Sequence, residues 1–437
     1  MEVVEKRLSD MPKPSALFSK VEAENNNAAL LESCRGLQCS ARYSIVAWGA
    51  TEKVAGKKGR TEGSVLREFR DPADVLADMV KRAKEIPLSS MYRGGPIGYV
   101  AYDSIRYWEN IREEKPEAER WPDFEFFVPK NVVVYDNYQE RAYLYGDYSE
   151  VRTNHEGSCT AKIALESMKE SEFEDAVRQI KKYIEAGYAF QVVLSRFYSY
   201  EFRGDPLALY KNLMAINPSP YMFYMKFGER KLVGSSPEAL FTIQDGSLEM
   251  DPIAGSRPRG KDPEEDMRLE RELLSSEKER AEHLMLVDLA RNDAGKAVLG
   301  GSLKVIDLMH VEKYSHVQHM VSRVIGTLKR NVNASDLLRA TFPAGTVSGA
   351  PKPSAVNIIE ELEPFERGPY AGVVGFISPN GNSEFALAIR SAFLNGDIMR
   401  IQAGAGIVYD SDPQGEYRET ELKMRAIRVA AGEGNTI

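Results

Sequence analysis

Arg400-Ile401-Gln402-Ala403-Gly404-Ala405-Gly406-Ile407-Val408-Tyr409-Asp410 reads as an apolar strand that ends in a small-residue turn. Gly404 and Gly406 let main-chain N–H groups approach an anion closely. Asp412-Pro413 then reads as a helix start, with proline in the first turn of a helix from about Gln414 to Ala431. Across this unit and outward from it, Met399 to Tyr409, Val373 to Ile377 and Glu384 to Phe393 read as strands. Ala189 to Tyr198 is another. Phe173 to Ala186 reads as a helix stopped by Gly187, Pro206 to Ile216 as a helix closed by Asn217-Pro218, and Pro263 to Arg291 as one long helical stretch carrying Leu269, Leu273, Leu284 and Val287. Nearer the N-terminus short β-rich runs dominate: Ala41 to Trp48, Ile97 to Tyr102 and Asn131 to Tyr135. The polar run Tyr148 to Ser158 reads as a linker or exposed loop. Strands with interspersed helices and hairpin turns predict a mixed α+β fold, not a doubly wound parallel sheet.

The 437 residues are 43% hydrophobic, enough for one large or two medium domains. Lysine plus arginine is 57 against 65 acidic residues, a net charge of −8, and no basic arm stands out, so nucleic acid is not an expected partner. Cys34, Cys39 and Cys159 have neither zinc nor disulfide spacing and suit a reducing cytoplasm. The charged N-terminus does not read as a signal sequence, and no apolar run approaches the roughly 20 residues that span a membrane.

Two acidic pairs lie far apart in the chain: Glu279 with Glu282, and Glu416 with Glu419. Each is an i, i+3 pair, so each puts two carboxylates on one helix face. Alone, such a pair is usually a solvated face. Brought together, the two would present hard oxygen ligands to one magnesium-type cation, with room for water and an anionic substrate. The second pair follows the Gly-x-Gly segment, so amides and metal would each take part of that substrate.

Other stretches carry chemistry less specifically. Pro252 to Gly260 joins turn-formers to Arg257 and Arg259, which suits a carboxylate ligand or an ordinary surface loop. Thr341 to Lys352 is small and hydroxylated, as a cleft lining would be. Arg390 lies on an otherwise apolar strand; a buried arginine needs an anion, either an internal carboxylate or a substrate. Tyr370 would supply a phenol beside it. His316 and His319 are spaced i, i+3, but a third zinc ligand of the usual kind is missing nearby, and one histidine serving as acid or base is the simpler reading.

Together His283-Leu284-Met285-Leu286-Val287-Asp288-Leu289-Ala290-Arg291-Asn292-Asp293, the Phe342 to Lys352 loop, Arg367-Gly368-Pro369-Tyr370-Ala371-Gly372 and Gln402 to Asp410 resemble the chorismate-binding enzymes. The match covers nearly the whole chain and is nearest to the anthranilate synthase component I branch. The resemblance implies a four-layer α/β/β/α sandwich with two stacked sheets, an N-terminal region over 1–150 and a chorismate-binding catalytic domain over 170–432. It implies magnesium held directly by Glu282 and Glu419 and through water by Glu279 and Glu416. It implies that Gly255, Ser256, Tyr370, Arg390, Gly404, Ala405 and Gly406 hold chorismate. The family usually has threonine where this chain has Ser256, which keeps the hydroxyl.

The nucleophile separates the branches of that family. Isochorismate and salicylate synthases carry a lysine where this chain has Gln191, and a neutral amide cannot activate water. Aminodeoxychorismate synthases commonly carry a lysine where this chain has Ala254, which cannot attack. Ammonia is the nucleophile that remains. The mechanism so implied makes Glu238 the acid that protonates the leaving hydroxyl, places Thr346 in the catalytic set, and makes His319 the acid toward the enolpyruvyl group in the second stage, loss of pyruvate. The products would be anthranilate and pyruvate, the first step of tryptophan biosynthesis.

No Gly-x-Cys-x-Gly nucleophile context is present, so a glutamine amidotransferase subunit, component II, is the implied partner and a hetero-oligomer the implied assembly. Leu30-Leu31-Glu32-Ser33 and Asn217-Pro218-Ser219-Pro220-Tyr221-Met222 resemble the family's tryptophan-binding motif, with Ser33, Pro220, Tyr221 and Met222 as the regulatory contacts. Readings of other classes are a non-catalytic relative that senses an aromatic metabolite and a metal-dependent hydrolase. The first would be free to lose the acidic pairs, Glu238 or His319; the second leaves Gln191, Ala254 and Arg390 unexplained.

Overall fold

A computed structural model describes residues 2–33, 42–64, 68–88, 90–111, 115, 121–148, 157–313 and 317–433. Cys34, Cys39, His316 and most of the polar run after Tyr148 lie outside these residues. The fold is α+β, and the strand pairs are antiparallel throughout.

One ladder runs Cys159–Glu166, Gln191–Gly204, Ile398–Ile407, Ser391–Asn395, Arg230–Ser236, Tyr221–Phe227, Asn27–Glu32, Tyr43–Lys57 and Phe124–Asp136, then Arg141–Tyr145 and Val4–Arg7. A second leaves Phe124–Asp136 through Ile97–Val100, Val373–Ile377, Ser383–Leu387, Ala239–Gln244 and Ser247–Met250 to Val317–Thr327. Ile253–Pro258 and Lys304–Lys313 flank that last strand. The long strands Tyr43–Lys57 and Phe124–Asp136 belong to both ladders. A register shift between Ala50 and Glu52, beside Gly49 at φ +66°, breaks their pairing at the corner.

Aromatic side chains from both ladders meet in the interior. Phe227 packs on Tyr99 and Phe127, with ring centroids 5.7 and 5.8 Å apart, and Trp121 packs on Phe393 at 6.3 Å. These edge-on contacts are each worth about 0.5–1.5 kcal/mol beyond area burial. Helices Pro14–Glu24, Pro206–Ile216 and Pro413–Ala430 cover one outer core; Glu170–Glu185 and Lys352–Leu362 cover another.

The elements nearest the catalytic motifs differ from the sequence reading in three places. The stretch read as one helix from Pro263 to Arg291 is two, Pro263–Ser275 and Glu277–Ala297; the break is at Ser276, whose extended backbone lets its hydroxyl cap the second helix at the Glu279 N–H. The strand read from Glu384 to Phe393 is interrupted after Leu387 and resumes at Ser391. Arg390 sits in the break at φ +51°, a left-handed conformation that costs a non-glycine residue about 1–2 kcal/mol. The strand read from Met399 to Tyr409 is Ile398–Ile407, but it does not close in a small-residue turn at Gly404 to Gly406; those residues pair flat with Ser195, Leu194 and Val193.

Candidate active site

The Ile398–Ile407 strand pairs with Ser391–Asn395 only as far as Ile401, so one edge of its C-terminal half faces a cavity. The cavity has a volume of about 220 Å³. Gly404 directs its carbonyl to Lys423, whose Nζ donates to it at 2.8 Å, and its amide to the Tyr370 hydroxyl. The two-residue alternation of a strand turns Gly406 the same way. Ala405 points to the paired strand and is fully buried. Gln191 lies beside Gly406: a Cβ added there would come within 2.7 Å of its Nε2.

Arg390 lines the same cavity. Burial lowers its pKa, and among the described residues its guanidinium makes no hydrogen bond or ion pair; Tyr370 and Glu419 act on it only through space. The internal-carboxylate reading of this arginine is therefore not met.

Opposite lies the Ile253–Pro258 strand, with Ala254, Gly255 and Ser256 in the wall. Gly255 makes a bulge at φ +71°, where a Cβ would come 2.9 Å from Glu279 Oε2 and 3.0 Å from Leu273 Cδ1. Only glycine allows that approach to the acidic helix. Ser256 pairs across with His319, whose ring lies with Nδ1 3.3 Å from the Gly255 carbonyl. Burial, then the charge of Arg390, push His319 down to about 4, so the imidazole is neutral at physiological pH. The arginines of this segment do not face the cavity as ligand donors: Arg257 pairs with Glu279 at 2.9 Å and Arg259 with Asp266 at 2.9 Å. Those internal carboxylates answer the charge that the sequence reading offered to a ligand.

Glu238 closes the third side. Burial raises its pKa to about 8, so it holds its proton at neutral pH, and Thr346 Oγ1 donates to its Oε1 at 2.9 Å. Thr346 belongs to a short helix, Gly345–Ser348, inside the segment read as an open loop.

Both acidic pairs stand at helix N-termini, Glu279 and Glu282 on Glu277–Ala297 and Glu416 and Glu419 on Pro413–Ala430. Glu282 is pushed up by burial and also by Glu279 and Glu419, and Glu416 by burial and also by Glu419, so the two helices feel each other's charge. Local cations answer part of it: Lys423 pairs with Glu419 at 2.5 Å and Lys278 with Glu282 at 3.9 Å. Among the described residues no three acidic, histidine or cysteine side chains are gathered tightly enough to hold a metal by themselves. The donor set is nonetheless all oxygen, mutually repulsive and beside a substrate-sized cavity, which fits a hard cation that keeps waters and takes a further ligand from the substrate.

A second cavity, about 420 Å³, contains Ser33, Pro220, Tyr221 and Met222 together, from segments nearly 190 residues apart. The sequence reading missed several neighbours. Lys423 and Gln402 line the first cavity, and Arg42 and Glu384 the second. Lys423 had a signal, since it is four residues beyond Glu419 on one helix face. Glu384 carried a weaker signal than Arg390, because it opens the apolar run rather than sitting within it.

The chorismate binding enzyme family matches residues 26–429. Anthranilate synthase component 1 of Saccharolobus solfataricus is 54% identical over 431 residues, covering 97% of this chain and 98% of that protein. Its counterpart in Aquifex aeolicus is 40% identical, covering 97% and 93%. Among solved structures, anthranilate synthase component I from Streptococcus pneumoniae superposes with a TM-score of 0.79 at 36% identity, covering 89% of this chain and 92% of that one. The chain belongs to the chorismate-binding enzymes. The Saccharolobus solfataricus and Aquifex aeolicus relatives, which match it nearly end to end, are anthranilate synthase component 1 proteins.

Proposed function

We propose that this enzyme converts chorismate and ammonia to anthranilate and pyruvate, with the ammonia supplied by a glutamine amidotransferase subunit. The observation that carries the reading is the 220 Å³ cavity in which a buried Arg390 guanidinium, unpaired among the described residues, the Tyr370 phenol and a protonated Glu238 converge. Arg390 and Tyr370 bind the enolpyruvyl carboxylate, and the Gly404 and Gly406 backbone positions the ring. Glu238, kept protonated by burial, gives its proton to the leaving hydroxyl. Neither Gln191 nor Ala254 is a base or nucleophile, which leaves ammonia to attack ring carbon 2. His319, neutral and beside Gly255, is the proton carrier for pyruvate loss, and aromatisation drives that step. Glu282 and Glu419 would hold magnesium, with Glu279 and Glu416 reaching it through water. Magnesium bound there would neutralise the ring carboxylate and take up charge developing on it.

The cavity that gathers Ser33, Pro220, Tyr221 and Met222 supports tryptophan as a regulatory ligand. Ser33 offers a hydroxyl and the Pro220 to Met222 main chain offers carbonyls to an ammonium group.

The test is incubation of the purified chain with chorismate, magnesium and an ammonium salt at alkaline pH. Anthranilate should appear, and glutamine should replace ammonium only when the amidotransferase subunit is added. Glu282→Gln and Glu419→Gln should each abolish turnover with an unchanged far-UV spectrum. A para-amine or isochorismate as main product, or full activity in excess chelator, would overturn the assignment.

A further inference from the structure

Glu238 and Thr346 line, besides the chorismate cavity, a small separate chamber of about 30 Å³. Its walls are mostly apolar, from Leu240, Met250, Leu286 and Leu289, but Glu238, Thr346 and Asp251 also open on it. The volume is enough for a water, and these groups supply the polar partners a buried water requires. Asp251 sits just ahead of the Ile253–Pro258 strand that forms the opposite wall of the active site. Its Oδ1 is buried without a hydrogen bond of ordinary geometry, 3.5 Å from Arg323 Nε. Arg323 in turn meets Glu249 at 3.4 Å and Asp307 at 3.5 Å, both substantially exposed.

We propose that Asp251 is a proton-relay residue that reloads Glu238 from solvent through a water in this chamber. It touches no substrate and acts through Glu238, so the inference rests on the role assigned to that residue above. Each turnover needs the relay for a simple reason. Glu238 gives its proton to the hydroxyl on ring carbon 4, the C–O bond breaks, water leaves, and ammonia's lone pair forms the bond at carbon 2 as the two ring double bonds shift. The nitrogen sheds its extra proton to solvent. Glu238 is left as a carboxylate with apolar walls beside it. Asp251 passes a proton through the water to Glu238 and takes one from the Arg323 side, so the proton count closes.

The surroundings of Asp251 suit this task. Burial first, then Glu249, raise its pKa to about 7, opposed by Arg323, while Glu312 adds to the rise. Asp293, the other acid on the chamber, is held by Lys352 at 2.5 Å and Lys296 at 3.0 Å and so is committed to structure. Burial raises both Asp251 and Glu238 well above the ordinary carboxylate range, so each can hold a proton near neutral pH, and both line the same chamber.

Asp251→Asn keeps the shape and removes the proton. It should lower kcat about tenfold, leave KM for chorismate unchanged, shift the pH profile of kcat and enlarge the solvent deuterium isotope effect. Asp251→Ala should regain turnover as formate is added, and Asp251→Glu should stay within a few-fold of wild type. Wild-type kcat and isotope effect in Asp251→Asn would overturn the relay. So would equal impairment of all three variants with no rescue by formate, which is the pattern of a structural role. The relay is read on whichever product the wild type releases, so a product other than anthranilate counts against the assigned reaction alone.

Discussion

Glu238 is the residue whose environment conflicts most with its chemistry in water. Its carboxyl is held at about 8 rather than 4.5 because burial penalises the charge more than the Thr346 hydrogen bond favours it. A carboxyl raised in the folded state makes the protein less stable as pH rises from its unfolded value through its folded one, by about 1.4 kcal/mol per unit in the limit. Glu238→Gln removes that dependence and keeps an oxygen for Thr346. The variant should match wild type in urea unfolding near pH 4.5, gain up to about 4 kcal/mol over it at pH 8, and lose at least about a hundredfold in kcat. A variant less stable than wild type at both pH values would show that the carboxyl is not held neutral by its site. Arg390 is the complementary case: a strained backbone and a guanidinium unpaired among the described residues are both kept where an anion would repay them.

At the scale of elements, the site depends on how the Pro413–Ala430 helix is fixed to the Gln191–Gly204 strand. Arg196 does most of this. It is fully buried, donates Nε to Thr420 Oγ1 at 2.9 Å and Nη1 to Glu166 Oε1 at 3.0 Å, and pairs with Glu421. Its guanidinium also stacks on Tyr417 at 4.1 Å and Tyr198 at 4.9 Å. Arg196→Met takes one cation from Glu166 and Glu421, which are partly exposed and keep the Tyr417 hydroxyl and Arg428 as partners, so the loss is discounted to about 1–2 kcal/mol from the fully buried range. The urea midpoint should fall accordingly. Magnesium affinity, read by calorimetry, should fall as well, because Glu416 and Glu419 ride on the same helix. Unchanged magnesium binding at reduced stability would show that the helix does not need this anchor to present its carboxylates.

At the scale of the molecule, the two cavities share strands. Tyr221 lines the larger cavity and pairs directly with Ser236, two residues before Glu238. Ala386 lines the larger cavity, and Ile389 and Arg390, just beyond it, line the smaller. A ligand that shifts either segment would shift a catalytic residue with it, so the proposed tryptophan site has a physical route to the chemistry. If tryptophan inhibits through this site, as proposed, linkage requires tryptophan and chorismate to weaken each other by one factor, typically about 5–150-fold. Ser33→Phe should fill the pocket and raise half-inhibiting tryptophan at least about tenfold, with uninhibited turnover almost unchanged. Calorimetry showing no tryptophan heat with the wild type would remove the site.

What the sequence by itself determined is what neighbours in the chain decide. Pro206–Ile216 and Val373–Ile377 are legible to the residue because proline, asparagine and apolar runs act locally. The acidic pairs, the Gly-x-Gly segment and the absence of lysine at Gln191 and Ala254 are likewise written in the chain. Tertiary structure decided the rest. Gly404 to Gly406 are intrinsically turn-prone, yet the ladder with Val193 to Ser195 holds them extended. Arg390 could be judged buried from its apolar neighbours, but not broken out of its strand or left without an internal carboxylate among the described residues. The proton on Glu238, the neutrality of His319 and the chamber beside Glu238 depend on burial by segments more than a hundred residues apart. Desolvation is a property of the packed molecule, and no local pattern carries it.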